Sequence, residues 1–213
     1  MKIRPRKQHL LNLLPDAWVM THGPHGLPAC YLTFDDGPHP EYTPRMLDVL
    51  GEHDMHASFF MVGRLAEQYP RVVERVVAEG HMLGNHSFNH QQFARLPLHE
   101  QLAEIDRTDL LLSQFDNHSR HRVRPPQGHL SLSLLLAFIR MRRSVAYWSY
   151  DSLDYQHRTA ADVAARMRRQ PPKARDIVLM HDDNDCAIGA LNLLLPQWRA
   201  EGLQFAALPQ EQA

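Results

Sequence analysis

Only two cysteines, Cys30 and Cys186, occur in 213 residues, and they lie far apart in the sequence. No disulfide framework is implied, and Cys30, inside a strand-like run, reads as a small buried hydrophobe. Neither sign of charge dominates: 23 Lys and Arg stand against 24 Asp and Glu, a formal net charge of −1. That removes the general electrostatic case for nucleic acid or an anionic membrane as a partner. Long apolar runs are missing as well. Leu10-Leu11-Asn12-Leu13-Leu14 is cut off by Pro15 and Asp16, too short for a signal-peptide core or a membrane span. With Lys2, Arg4, Arg6 and Lys7 ahead of it, it reads as a short amphipathic segment able to touch a membrane. The expectation is a cytoplasmic protein, membrane-peripheral at most, with no transmembrane segment. Nothing in the chain specifies an oligomeric state. The Arg140, Arg142, Arg143 and Arg166, Arg168, Arg169 clusters read as solvated helix ends.

What is present is an alternation of strand-like and helical patterns. Strands are predicted over 29–35, 57–62, 81–85, 122–126, 144–150, 176–180 and 203–208. Helices are predicted between them: over 43–54, from Pro70 to Gly80, around Leu98 to Leu112, around Leu132 to Ile139, from a Thr159 cap to Arg169, and around Leu191 to Trp198. This rhythm predicts an α/β fold, a parallel sheet closed into a single-domain barrel of about seven β/α units. The domain is expected over 29–213, after an N-terminal extension of 1–28. Asp35 and Asp36, His86, Arg124, Asp151 and Asp154, and His181 all fall just past strand C-terminal ends, the rim that carries chemistry in such barrels.

Adjacent carboxylates at a strand end repel each other, and a cation is the simplest compensation. His86 and His90, four residues apart, would offer two imidazoles on one face of a helical turn. With 15 histidines in the chain, the pair by itself is equally compatible with ordinary surface residues. Asp36 completes a two-His, one-carboxylate set that leaves positions open for water and substrate. Asp35 is then free to take a proton from a metal-activated water; its alternative reading is a turn cap before Gly37-Pro38. An iron oxygenase uses similar donors, but Asp35, His181 and the α/β pattern argue against one.

Thr33-Phe34-Asp35-Asp36-Gly37-Pro38 and His86-Ser87-Phe88-Asn89-His90 resemble the first two motifs of the polysaccharide deacetylase (NodB homology) family, carbohydrate esterase family 4. The resemblance runs from about Tyr31 to Leu208. It implies a distorted (β/α)7 barrel, one divalent metal ion, usually zinc, and hydrolytic removal of N-acetyl groups from amino sugars or, in some members, O-acetyl groups from xylan. By this resemblance Asp36, His86 and His90 hold the metal and Asp35 is the catalytic base. Arg124 orients that base, and Asp154 holds Arg124. Leu179 lines the acetyl pocket and His181 is the general acid, with Asp182 or Asp183 available to raise its pKa. The chain departs from the pattern at Gln127, where an aromatic is usual, and at Tyr155, where Trp is usual. The backbone N–H at Gln127 still serves the oxyanion, while the aromatic wall there is expected to be lost. An O-acetyl esterase, an amidohydrolase of non-sugar substrates, and a glycan-binding pseudoenzyme are the competing readings on the same frame.

Overall fold

The computed structural model describes residues 10–156 and 159–211. Lys2, Arg4, Arg6 and Lys7 of the N-terminal expectation lie outside them. The first half comprises β1 (Val19–Met20), β2 (Ala29–Asp35), α1 (Tyr42–Glu52), β3 (Ser58–Met61), α2 (Gly63–Gln68), α3 (Pro70–Ala78) and β4 (Met82–Asn85). The second comprises α4 (Leu98–Asp116), α5 (Leu132–Arg140), β5 (Val145–Ala146), β6 (Tyr150–Asp151), α6 (Ala160–Arg169), β7 (Ile177–His181), α7 (Asp185–Ala200) and β8 (Gln204–Phe205).

The central sheet is parallel, in the order β4-β3-β2-β7-β6, and β8 pairs with the first two residues of β2. Val123 bridges Asn85 on one side and Val145 on the other, carrying the sheet round to β5. There β1, inside the segment 1–28, pairs with Val145 and Ala146. The result is a distorted (β/α)7 barrel in a single domain.

β2 is buried at every position, as a strand covered on both faces must be. Its alternation sorts the side chains. Leu32 and Phe34 pack outward with Met46, Leu191, Leu194 and Trp198 beneath the helices. Tyr31 points to the interior with Phe60, Met82 and Ile177. The same period carries Thr33 and Asp35 into the barrel and leaves Asp36 at the rim. Helix punctuation follows the expected chemistry. Pro70 opens α3, Gly80 follows its end at φ 79, and the Thr159 side chain accepts from the Asp162 N–H to start α6.

Three expected strands are shorter than the pattern implied. In 122–126 only Val123 pairs, because Pro125 and Pro126 lack N–H donors and Arg122 turns its side chain to the C-terminal tail. The run 144–150 splits into β5 and β6, with Ser149 diverted to Asp176 at 2.7 Å. The closing strand shrinks to Gln204–Phe205, and the tail beyond it is held by other bonds. Leu208 N–H donates to Ser58 Oγ at 2.8 Å, Arg122 Nε to Pro209 O at 2.5 Å, and Ser144 N–H to Glu211 Oε1 at 2.8 Å. Arg143 is a further correction: it is buried and paired with Asp109 at 2.7 Å instead of being solvated. No helix among the described residues is long and apolar enough to cross a membrane.

Trp198 is 1% exposed and is the largest fully buried side chain among the described residues, with Phe205 stacked on it at 5.7 Å between centroids. Trp198→Ala is expected to lower unfolding free energy by about 3–5 kcal/mol in a denaturant titration.

Candidate metal centre and catalytic pocket

The site forms where β2, β4 and β7 end. The backbone turns sharply there: Asp36 (φ 75), Ser87 (φ 65), His90 (φ 54), Gln127 (φ 55) and Leu153 (φ 58) all occupy the left-handed region that non-glycine residues avoid. Such conformations persist only where surrounding bonds enforce them, and they gather at functional sites.

Asp36 Oδ1 lies 3.3 Å from His86 Nε2 and 3.0 Å from His90 Nε2. The nitrogens are close, yet no hydrogen bond reaches this buried oxygen. One ligand atom from each of the three residues fits within a 4.8 Å cluster, the one such group of His, Cys, Asp and Glu among the described residues. Two ligands bound at about 2.0–2.1 Å in tetrahedral geometry stand about 3.3 Å apart, so these donors fit a divalent metal ion. Burial opposes ionisation of Asp36, but the imidazoles of His86 and His90 outweigh it and hold its carboxyl well below the usual carboxylate range.

The ring nitrogen that His86 turns toward Asp36 is selected from behind. Its Nδ1 lies 2.6 Å from the Arg124 carbonyl, which fixes that nitrogen as the N–H donor and leaves the Nε2 lone pair free. The same Arg124 reaches Asp35 with its guanidinium. NH1 donates to Asp35 Oδ1 at 2.6 Å and to Thr33 Oγ1 at 2.8 Å, while Nε and NH2 donate to the carbonyls of Ala146 and Tyr147. Arg124 is fully buried, Asp35 nearly so, and Asp35 Oδ2 is left 3.8 Å from His86 Nε2.

Asp154 is not the partner of Arg124. It belongs to His181: its Oδ1 sits 3.0 Å from His181 Nδ1, and its Oδ2 accepts the His181 backbone N–H at 2.8 Å. Ser152 Oγ steadies the same carboxylate at 2.8 Å. Arg124 has no need of Asp154, because Asp35 and two carbonyls already satisfy it. Burial pulls the His181 pKa down, but Asp154, with smaller help from Asp35 and Asp36, pushes it up to about 9. Asp182 does not supply that effect. It turns away from the pocket to accept the Thr43 hydroxyl, and burial pushes its own pKa up to about 7. Asp151 caps the loop, accepting Leu153 N–H at 3.0 Å and the Tyr155 hydroxyl at 3.2 Å.

Asp35, Asp36, His86, His90 and His181 line a cavity of about 550 Å³ together with Gln127, Gly128, Leu179, Asp183 and Asn184. Two aromatics also line it, Tyr155 and Trp148. The Tyr155 ring stands edge-on to His181, 5.4 Å between centroids. Trp148 carries no motif that marks it in the sequence. It stacks at 4.1 Å on buried Tyr147 and covers Gly128, where an added Cβ would sit 2.6 Å from the indole. The pocket therefore keeps an aromatic wall beside Gln127, supplied from the β5–β6 connection.

Comparison with known proteins agrees with this geometry. The model of the polysaccharide deacetylase family matches residues 22–141. A peptidoglycan-N-acetylglucosamine deacetylase of Bacillus cereus is 30% identical over 204 residues, covering 92% of this chain and 74% of that protein. A chitooligosaccharide deacetylase of Sinorhizobium fredii is 31% identical over 201 residues, covering 87% of this chain and 92% of that one. The crystal structure of a peptidoglycan N-acetylglucosamine deacetylase superposes with a TM-score of 0.82 at 30% identity, over 89% of this chain and 90% of its own.

His181 has a folded-state pKa above the ordinary imidazole value, so its contribution to stability is complete below about 6.5 and disappears as pH rises through about 9. In metal-free protein, an NMR titration of His181 is expected to show a midpoint near 9 that Asp154→Asn moves down toward 6.5. An unmoved midpoint would contradict the assignment of Asp154 as its main partner.

Proposed function

The chain belongs to the polysaccharide deacetylase family, and on that premise we propose that it is a metal-dependent hydrolase that removes N-acetyl groups from an amino-sugar glycan or glycoside and releases acetate. One observation carries this reading: Asp36, His86 and His90 aim three donor atoms at one point, with Asp35 alongside and a proton-holding His181 in the same cavity. The relatives named above act on peptidoglycan N-acetylglucosamine and on chitooligosaccharide. What those substrates share is an acetylated amino sugar.

A divalent cation at these donors, zinc by the match to two imidazoles and a carboxylate, would lower the pKa of water and polarise the acetyl carbonyl. The rest of the chemistry belongs to side chains. Arg124 engages Asp35 Oδ1 and so presents Oδ2 as the acceptor for the proton of the attacking water. The backbone N–H of Gln127 donates to the developing oxyanion, a contact of a kind typically worth about 3 kcal/mol of barrier. Leu179 lies against the acetyl methyl group, and Trp148 and Tyr155 offer faces to the sugar. Asp154 holds His181 Nδ1–H, so Nε2 is the nitrogen that hands a proton to the departing amine.

That last step favours the amide over the ester. An amine leaves only when protonated, and the Asp154 carboxylate at His181 Nδ1 favours the protonated imidazole that can supply the proton. Acetate release from N-acetylglucosamine oligomers is therefore expected to exceed release from acetylated xylan, and to stop when a chelator is added.

Asp35→Asn is expected to lower kcat by about 100-fold or more while keeping one bound zinc per chain, read by acetate release and metal analysis. His86→Ala is expected to lose both. Wild-type turnover in Asp35→Asn would remove Asp35 as the base.

A further inference from the structure

The loop that carries His90 has no regular secondary structure to hold it, yet it must aim one imidazole at Asp36. Its two key residues, Ser87 and His90, both sit at positive φ. A fully buried side chain at the end of β4, Asn85, holds this arrangement. Asn85 Oδ1 accepts the Ser87 N–H at 2.9 Å, and Ser87 Oγ in turn accepts the His90 N–H at 3.1 Å. The nitrogen end of the amide is fully engaged too. Asn85 Nδ2 donates to Ile105 O at 2.8 Å and to Asp109 Oδ1 at 2.7 Å, both on α4. Turning the amide over would set oxygen against the Asp109 carboxylate and NH2 against the Ser87 N–H. Only one orientation is open to it.

Asp109 is itself locked. Oδ2 takes Arg143 NH2 at 2.7 Å, and Oδ1 also takes His121 Nδ1 at 3.2 Å. The other ring nitrogen of His121 lies 3.1 Å from Asp116 Oδ1, so each nitrogen faces a carboxylate. Burial pulls the His121 pKa down, and Asp109 and Asp116 more than reverse it. Two carboxylates, one guanidinium and an imidazole whose pKa they raise make up this cluster. A cluster of this kind is a poor source of net stability, because desolvation cancels most of the attraction. It is well suited to fixing a direction.

We infer that Asp109 is a positioning residue for the metal centre, acting through Asn85 and Ser87 to set the conformation of the loop that presents His90. This rests on the reading of Asp36, His86 and His90 as metal ligands. Asp109 lies on α4 and bonds to Asn85, His121 and Arg143 instead of to the three ligand residues, so loss of the relay should appear first in metal affinity and ligand geometry.

The test uses the full chain. Zinc affinity is measured by competition with a chromogenic chelator, and geometry by the visible spectrum of the cobalt(II)-loaded protein. Asp109→Asn and Asn85→Ala are each expected to weaken zinc binding by about 10-fold or more, with a changed cobalt spectrum. The double variant should be no weaker than the weaker single one, since the two act in series. A folded Asp109→Asn protein that binds zinc within twofold of wild type with an unchanged cobalt spectrum overturns the inference. Fully additive losses overturn it equally. Ser87→Ala leaves the buried ions intact and tests the far end of the relay should Asp109→Asn fail to fold; unchanged affinity there is also a refutation. Wild-type protein that binds no zinc, or binds it unaltered in His86→Ala, would instead refute the metal-site reading itself.

Discussion

A guanidinium with no access to solvent is the constraint around which the site is arranged. Arg124 lies at the centre of the barrel, and its charge must be answered there. Asp35 answers it, with Thr33 and two backbone carbonyls taking further N–H groups. Removing either partner would strand the other's charge in an apolar surrounding, which costs far more than the pair contributes. The residue also serves the metal side, because its carbonyl takes the Nδ1–H of His86. One residue therefore sets the direction of Asp35 through its side chain and of His86 through its backbone. The proline pair that follows it removes the freedom to shift along the sheet.

The legible part of the site is the part encoded by local spacing. The doublet Asp35-Asp36 at a strand end and the pair His86, His90 carry their chemistry in adjacent or i, i+4 positions. The parallel barrel is legible for the same reason: buried strands such as β2 and β7 are uninterrupted apolar runs. Pairing at a distance is not. Asp151 and Asp154 are three residues apart, and their spacing does not say which one turns inward to His181; the structure turns Asp154 there, past a Leu153 at positive φ. Arg143 reads as a helix-end cation because its neighbours Arg140 and Arg142 are cations. Its burial depends on Asp109 and His121, more than twenty residues upstream. Asn85 escapes notice although it immediately precedes a motif histidine, since an amide advertises no chemistry until its partners are known. Trp148 is hidden because the run 144–150 has the pattern of one strand, whereas the break between β5 and β6 is what presents the indole to the cavity.

The pocket separates acids by environment. Asp36, with imidazoles beside it, is held charged; Asp182, one residue beyond His181 and turned into the protein, is pushed toward neutrality by burial. His181 lies between these two regimes and is held charged by Asp154. A carboxylate that stays anionic, a carboxyl whose charge is suppressed, and an imidazole that stays protonated thus coexist within a few residues. Packing depth and the identity of the nearest partner produce all three.

β2 draws its neighbours from the whole length of the polypeptide. β3 lies just downstream, but β7 and β8 come from residues 177–205, and Arg124 arrives midway. During ribosomal synthesis the strand bearing Asp35 emerges well before β7 and β8 and waits with one edge bare until they follow. A nascent chain that stops short of Ile177 thus carries Asp36, His86 and His90 but lacks the His181 imidazole that shares their cavity.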